Sequence, residues 1–166
     1  RYADDFVVLG KSQAQVQQAH DLVQSHLARL GLTLSAEKTK LTRFREGFAF
    51  LGFVIKARTV TMRPKAVEKF KTKIRDVTRR SHNLDAKVVE KVNAVVRGTA
   101  NYFATAFSSC RHLFGTLDKW LRMRIRSMKF KRKRATDNWR FWRKHFRNMG
   151  FVFLSDAGVR PVVETT

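Results

Sequence analysis

Cysteine, proline and negative charge are all scarce in this chain of 166 residues, which has one cysteine, Cys110, two prolines, and 13 Asp+Glu against 35 Lys+Arg. A single cysteine excludes an internal disulfide and any cysteine-rich zinc module, and it fits reducing conditions best. Nor do His20, His26, His82, His112 and His145 have a metal-ligand spacing, with or without Cys110. No run approaches the roughly 18 consecutive apolar residues of a membrane-spanning helix, and the N-terminus has no signal-peptide pattern. The shortage of acid leaves a formal charge of +22, which repels itself unless a polyanion neutralises it. Nucleic acid is the partner this footprint favours. An anionic membrane fits less well, because the basic residues are spread over several elements and interleaved with aromatics instead of forming one amphipathic anchor.

The composition is still sufficient for a core, since 43% of the residues are hydrophobic. Residues 2–9 read as a tight β-hairpin, apolar on both sides of Asp4-Asp5. Ser12 opens a capping box with Gln15, and Val16, Ala19, Val23, Leu27 and Leu30 come next at helical spacing up to Gly31. Leu32-Thr33-Leu34 reads as a short strand and Ser35–Thr39 as a turn leading into another extended stretch. Phe48–Ile55, with Thr59–Met62 after it, reads as a second hairpin. Pro64 then suits the first turn of a helix carrying Val67, Phe70, Ile74 and Val77. A second helix starts from Asp85 as N-cap and runs towards Phe107, and a third carries Leu113, Leu117, Leu121, Ile125 and Met128. Residues 64–128 therefore read as a three-helix bundle, and the boundary with the α+β part falls near residue 62.

Between Arg111 and Arg147 there are 14 Lys+Arg against two acids, Asp118 and Asp137, so more than half of the excess charge lies there. Arg124, Arg126, Lys131, Arg132, Lys133 and Arg134 are the candidates for phosphate contacts, although any one of them alone fits a solvated helix face. All three tryptophans lie in the same stretch. Trp120 falls within the apolar periodicity of its helix and reads as core, whereas Trp139 and Trp142 fit either a core or a base-stacking role.

Adjacent carboxylates at the bend between two apolar strands are how a polymerase palm holds divalent metal. Phosphoryl transfer needs metal ions to align the reacting oxygens and neutralise developing charge, and Mg²⁺ takes one or two protein carboxylates plus substrate phosphates. Asp4 and Asp5 suit that role. Taken alone, the dipeptide also fits an ordinary turn.

Three motifs stand in order: Tyr2-Ala3-Asp4-Asp5, then Gly31-Leu32-Thr33-Leu34-Ser35-Ala36-Glu37-Lys38-Thr39, then Phe50-Leu51-Gly52-Phe53. That order resembles the second half of a group II intron reverse transcriptase, and the chain beyond Met62 is similar to the thumb, the maturase-specific domain X of the same family. The resemblance covers nearly the whole chain. It implies an α+β fold: a partial polymerase palm of β-hairpins plus one helix over residues 1–62, an all-α three-helix thumb bundle over 63–150, and a tail over 151–166. It also implies that Asp4 and Asp5 belong to the metal-binding triad, with Asp4 the direct ligand and Mg²⁺ the cofactor, held weakly or not at all by this chain alone. Lys38 matches a basic residue that approaches the incoming nucleotide's phosphates and protonates the pyrophosphate leaving group; an exposed turn lysine is the other reading. Phe50, Leu51 and Gly52 match the region that grips the primer end, where Gly52 either lets backbones approach closely or marks a bulge. The basic helical part would bind group II intron RNA so that it reaches its splicing-active fold, with a DNA primer and target as partners of the full-length parent. The expected setting is a cytoplasmic bacterial ribonucleoprotein, with an organelle as the alternative.

In that family the first catalytic aspartate, the fingers and the template-binding segments precede the position matching Arg1. The expectation is therefore a fragment that works within a longer parent or with a separate N-terminal half. A stand-alone RNA-binding maturase module is the alternative. A basic helical DNA-binding domain ranks last, because it leaves the first 55 residues unexplained. No cysteine-containing nuclease module is recognisable. The chain by itself is expected to extend no primer in a dNTP-incorporation assay; incorporation that Asp4→Ala abolishes would overturn this.

Overall fold

The computed structural model describes residues 5–156 and divides into two compact units, one up to Arg43 and one from Phe44. In the first unit α1 spans Gln13–Arg29. Ser12 caps it, its Oγ accepting the Gln15 N–H at 3.3 Å, while Gln15 Oε1 accepts the Lys11 N–H at 2.9 Å. The reciprocal bond thus lands one residue before the position of a standard capping box. The helix ends in a Schellman motif, with Gly31 at φ +69°, its N–H on the Ala28 carbonyl at 3.0 Å, and the Leu32 N–H on the Leu27 carbonyl at 2.9 Å.

That closure corrects the expected strand at Leu32–Leu34. The Leu32 N–H is taken by the helix, and the segment has no strand assignment. The turn at Ser35–Thr39 is present, held by the Lys38 and Thr39 N–H groups on the Ser35 carbonyl at 3.1 and 2.8 Å. Phe6–Leu9, expected as the second arm of a hairpin, form no strand and are exposed. A two-stranded hairpin has little stability without a third strand or a packed face. Residues 2–4, the other part of that expectation, lie outside the described residues.

The second unit opens with an antiparallel meander, β1 (Phe48–Phe50), β2 (Phe53–Lys56) and β3 (Thr59–Met62), in which Phe48 faces Ile55 and Phe53 faces Met62. Leu51 and Gly52 join β1 to β2 with φ of +47° and +79°, the positive pair that a two-residue type I′ turn requires. Gly52 is therefore a turn glycine and not a bulge. The outer edge of β3 is sealed, because Ser109 donates its N–H to the Val60 carbonyl at 2.7 Å and accepts the Val60 N–H on Oγ at 3.4 Å.

The three expected helices form as α2 (Pro64–Val77), α3 (Ala86–Phe103) and α4 (Arg111–Lys129), with Pro64 in the first turn of α2. Asp85 caps α3, accepting the Val88 N–H at 2.8 Å. This helix stops at Phe103, short of the expected Phe107, where Ser108 places both its N–H and its hydroxyl on the Thr105 carbonyl at 3.0 and 3.1 Å and turns the chain. Phe70 and Ile74 from α2, Val92, Val96 and Ala100 from α3, and Leu117, Leu121 and Ile125 from α4 are buried in one core. No helix among the described residues is long and apolar enough to cross a membrane.

Two short helices come next, α5 (Asp137–Arg140) and α6 (Arg143–Asn148), and then a 3-10 turn at Leu154–Asp156. Gly150, at φ +80°, closes α6 as a second Schellman motif and turns Phe151, Phe153 and Leu154 into the core. This stretch opens the expected tail over 151–166. It packs without strand pairing because side chains take its backbone groups. Asn93 donates to the Gly150 carbonyl at 2.7 Å and accepts the Val152 N–H at 3.0 Å. The buried Asp118 carboxylate accepts the N–H groups of Leu154 and Ser155, each at 2.9 Å.

By packing, the chain divides at residues 43/44. The meander belongs with the helices because Phe53 is buried against Phe103, Tyr102 and Phe107, with ring centroids at 4.9, 5.9 and 5.9 Å. Asp118→Ala strands the buried Leu154 N–H and frees the N–H of the exposed Ser155, and is expected to lower stability by about 1–3 kcal/mol, whereas exposed Lys69→Ala stays within about 0.5 kcal/mol. Urea denaturation checks both.

Candidate nucleic-acid interface

Among the sequence-derived candidates of the first unit, Asp5 and Lys38 are exposed and Asp4 lies outside the described residues. Among the described residues no three of His, Cys, Asp and Glu come together as a group that could hold a metal ion.

Phe50, Leu51 and Gly52 form the end of β1 and the turn into β2. The Tyr102 hydroxyl donates to the Leu51 carbonyl at 2.8 Å, which holds a leucine in the left-handed region that L-residues rarely occupy. A Cβ on Gly52 would meet the Phe103 ring at 3.5 Å, so this turn rests on the last turn of α3.

The six basic candidates separate into two sets. Arg124 donates through Nε to the Thr78 hydroxyl at 3.3 Å and through Nη2 to the Thr78 carbonyl at 2.9 Å, so it closes the C-terminus of α2. Arg126 donates to the Phe141 carbonyl at 2.9 Å and lies over the Phe146 ring at 5.2 Å. Lys131, at φ +55°, donates to the His82 carbonyl, and Arg132 pairs with the buried Asp137 at 3.2 Å. Arg122, which was not singled out, is buried over the Phe153 ring at 5.2 Å. Burial lowers the pKa of Arg122, Arg124 and Arg126, and the cationic neighbours Arg143, for Arg122, and Arg75 and Arg80, for Arg124, lower it further. All three remain charged, because an arginine starts far above neutrality. Arg122, Arg124 and Arg126 work inside the fold, and the exposed Lys131 and half-buried Arg132 tie the segment after α4 to it.

Lys133 and Arg134 are different. Both are exposed, as are Arg140, Arg143 and Lys144, and none of the five has a carboxylate partner among the described residues. Sequence reasoning missed the last three. Their signal was the density of charge, nine Lys+Arg against one acid in residues 129–147.

The tryptophans divide as well. Trp120 is half-buried, with the Phe70 ring centroid at 6.5 Å and the Arg75 guanidinium over it at 5.6 Å, so it is part of the core edge as expected. Trp139 is 84% exposed and Trp142 61% exposed. Trp139 adjoins Arg140, and Trp142 adjoins Arg143. Two large rings in water among unpaired cations suit contact with a polyanion that also has flat faces.

Residues 1–55 match the family model for reverse transcriptase (RNA-dependent DNA polymerase). Residues 67–147 match the model for the group II intron, maturase-specific domain. A comparison with curated proteins gives no match. The second matched span contains these five cations and both exposed tryptophans.

The division of the cations is testable by substitution. Arg124→Ala opens the end of α2 and is expected to lower unfolding stability by about 1–3 kcal/mol. Lys133→Ala is expected to stay within about 0.5 kcal/mol of the parent. Thermal and urea melts measure both.

Proposed function

We propose that this chain, which belongs to the group II intron reverse transcriptase/maturases, uses its second unit to bind the folded intron RNA and so assist splicing. The observation that carries this reading is the set of five exposed cations, Lys133, Arg134, Arg140, Arg143 and Lys144, with no carboxylate partner among the described residues. An RNA of several packed helices is opposed by repulsion between its own phosphates. Cations fixed on a folded unit neutralise phosphates where helices approach, and the release of condensed counterions drives the association. A rigid basic face lowers that repulsion at defined places. Mobile salt lowers it everywhere.

On the same reading Asp4 and Asp5 serve Mg²⁺-dependent, RNA-directed DNA synthesis, with Lys38 beside the nucleotide's phosphates and the Leu51-Gly52 turn near a DNA primer. Polymerases of the matched family use Mg²⁺. Tyr102 supports the last assignment, because a turn that positions a primer end must itself be held.

The test is the salt dependence of binding to a folded group II intron transcript, with a length-matched DNA duplex alongside. Five phosphate contacts imply a slope of log K against log salt of about −4. Replacing the five cations together by Gln is expected to flatten that slope with little change in melting temperature, while Asp5→Ala changes neither. A slope that survives the fivefold replacement, or tighter binding to the DNA duplex, contradicts the proposal.

A further inference from the structure

We infer that Trp139 and Trp142 form a stacking platform for unpaired bases, so that the unit recognises loops or bulges of RNA in preference to uninterrupted duplex. The inference rests on the RNA-binding reading and adds to it the class of nucleotide that is taken. Its first support is exposure. A tryptophan left 84% in water gives up most of the stabilisation that burial would bring, and a second at 61% lies three residues away. Three residues span at most about 11 Å, so both rings project from one short stretch.

The second support is rigidity. Trp139 sits on α5, whose N-terminal Asp137 is buried and paired with Arg132, while Phe141 is buried between the two rings in sequence and gives its carbonyl to Arg126. Phe146, fully buried on α6, anchors the far side. The indoles are therefore carried by a backbone tied down on both sides, which limits the ordering entropy lost on binding.

The third support is chemistry. Every base has a π-face that an indole can cover, but in a duplex those faces are already stacked on one another, so only unpaired bases offer them. The neighbouring Arg140 and Arg143 would meet the phosphates on either side of such a base. A protein partner fits this stretch less well, because interface centres are depleted of lysine and charge, and residues 129–147 carry nine Lys+Arg against one acid. That balance also repels a second copy of the chain. A membrane surface fits less well again, since α5 has four residues and α6 six, too short for an interfacial amphipathic helix.

The experiment compares the full chain, at one salt concentration, on two RNAs of equal length: a hairpin with an unpaired loop and internal bulge, and a blunt, fully paired duplex. Indole fluorescence is followed in the same titrations. Wild type is expected to bind the looped RNA more tightly with quenching, and each Trp→Ala change to weaken that binding about tenfold. Duplex affinity, salt slope and melting temperature stay unchanged. Trp139→Phe, which keeps a ring, recovers part of the loss. Equal losses on the two RNAs, or no loss on either, overturn the inference while leaving the RNA-binding reading intact. Failure of wild type to bind either RNA with a steep salt slope overturns both. Loss of self-association in sedimentation, with RNA affinity unchanged, would instead assign the rings to a protein interface and also overturn the inference.

Discussion

One face of α4 holds the last part of the described chain in place, and the exposed basic segment depends on it. Asp118, Arg122 and Arg126 succeed one another at four-residue steps, so they share a side of the helix. Asp118 takes two backbone N–H groups of the 3-10 turn, Arg122 lies over Phe153, and Arg126 holds the Phe141 carbonyl. Everything from Lys131 to Arg147 is strung between the end of α4 and that anchorage. Arg124, two residues from each flanking arginine, points the other way and closes α2. Cations on one helix thus tie two different neighbours, which is why a segment so rich in positive charge can still be well packed.

This arrangement gives the unusual composition two separate jobs. Desolvated arginines satisfy carbonyls and cover rings inside the fold, where a lysine would lose the planar fork and the stacking. The cations Lys133, Arg134, Arg140, Arg143 and Lys144 stay in water without carboxylate partners among the described residues, available to a polyanion. Ion pairs are few among the described residues, and most of them are exposed pairs of small individual worth. Neutralisation is left to a ligand.

Much of the architecture was legible because its signals are local. Ser12, Gly31, Pro64 and Asp85 mark helix ends through their own backbone chemistry, and the apolar spacing in α2, α3 and α4 names the residues that meet in the core. The failures are equally physical. Leu32–Leu34 alternates like a strand, yet the helix closure takes the Leu32 N–H. The run to Phe107 looks helical, yet the helix ends at Phe103 with Ala104 as its C-cap, and the Ser109 N–H goes to the distant Val60 carbonyl. Which arginines are free could not be read at all, because each answer depends on a carbonyl or ring distant in sequence: Thr78 for Arg124, Phe141 for Arg126, and likewise His82 for Lys131. The unit boundary was hidden for the same reason. The reverse transcriptase match ends at residue 55, inside the meander, while the physical division falls at 43/44, so β1 and β2 belong by descent to one part and by packing to the other.

If RNA binding lies in the exposed cations beyond Lys131 and not in the basic residues at large, contact must be confined to that segment. Lysine acylation footprinting of the full chain, with and without a folded group II intron transcript, decides between the two. Protection of Lys133 and Lys144, with exposed Lys56 and Lys65 reacting as before, is expected. Uniform protection of all four, or protection limited to Lys56 and Lys65, would mean that the segment is not the RNA-binding face.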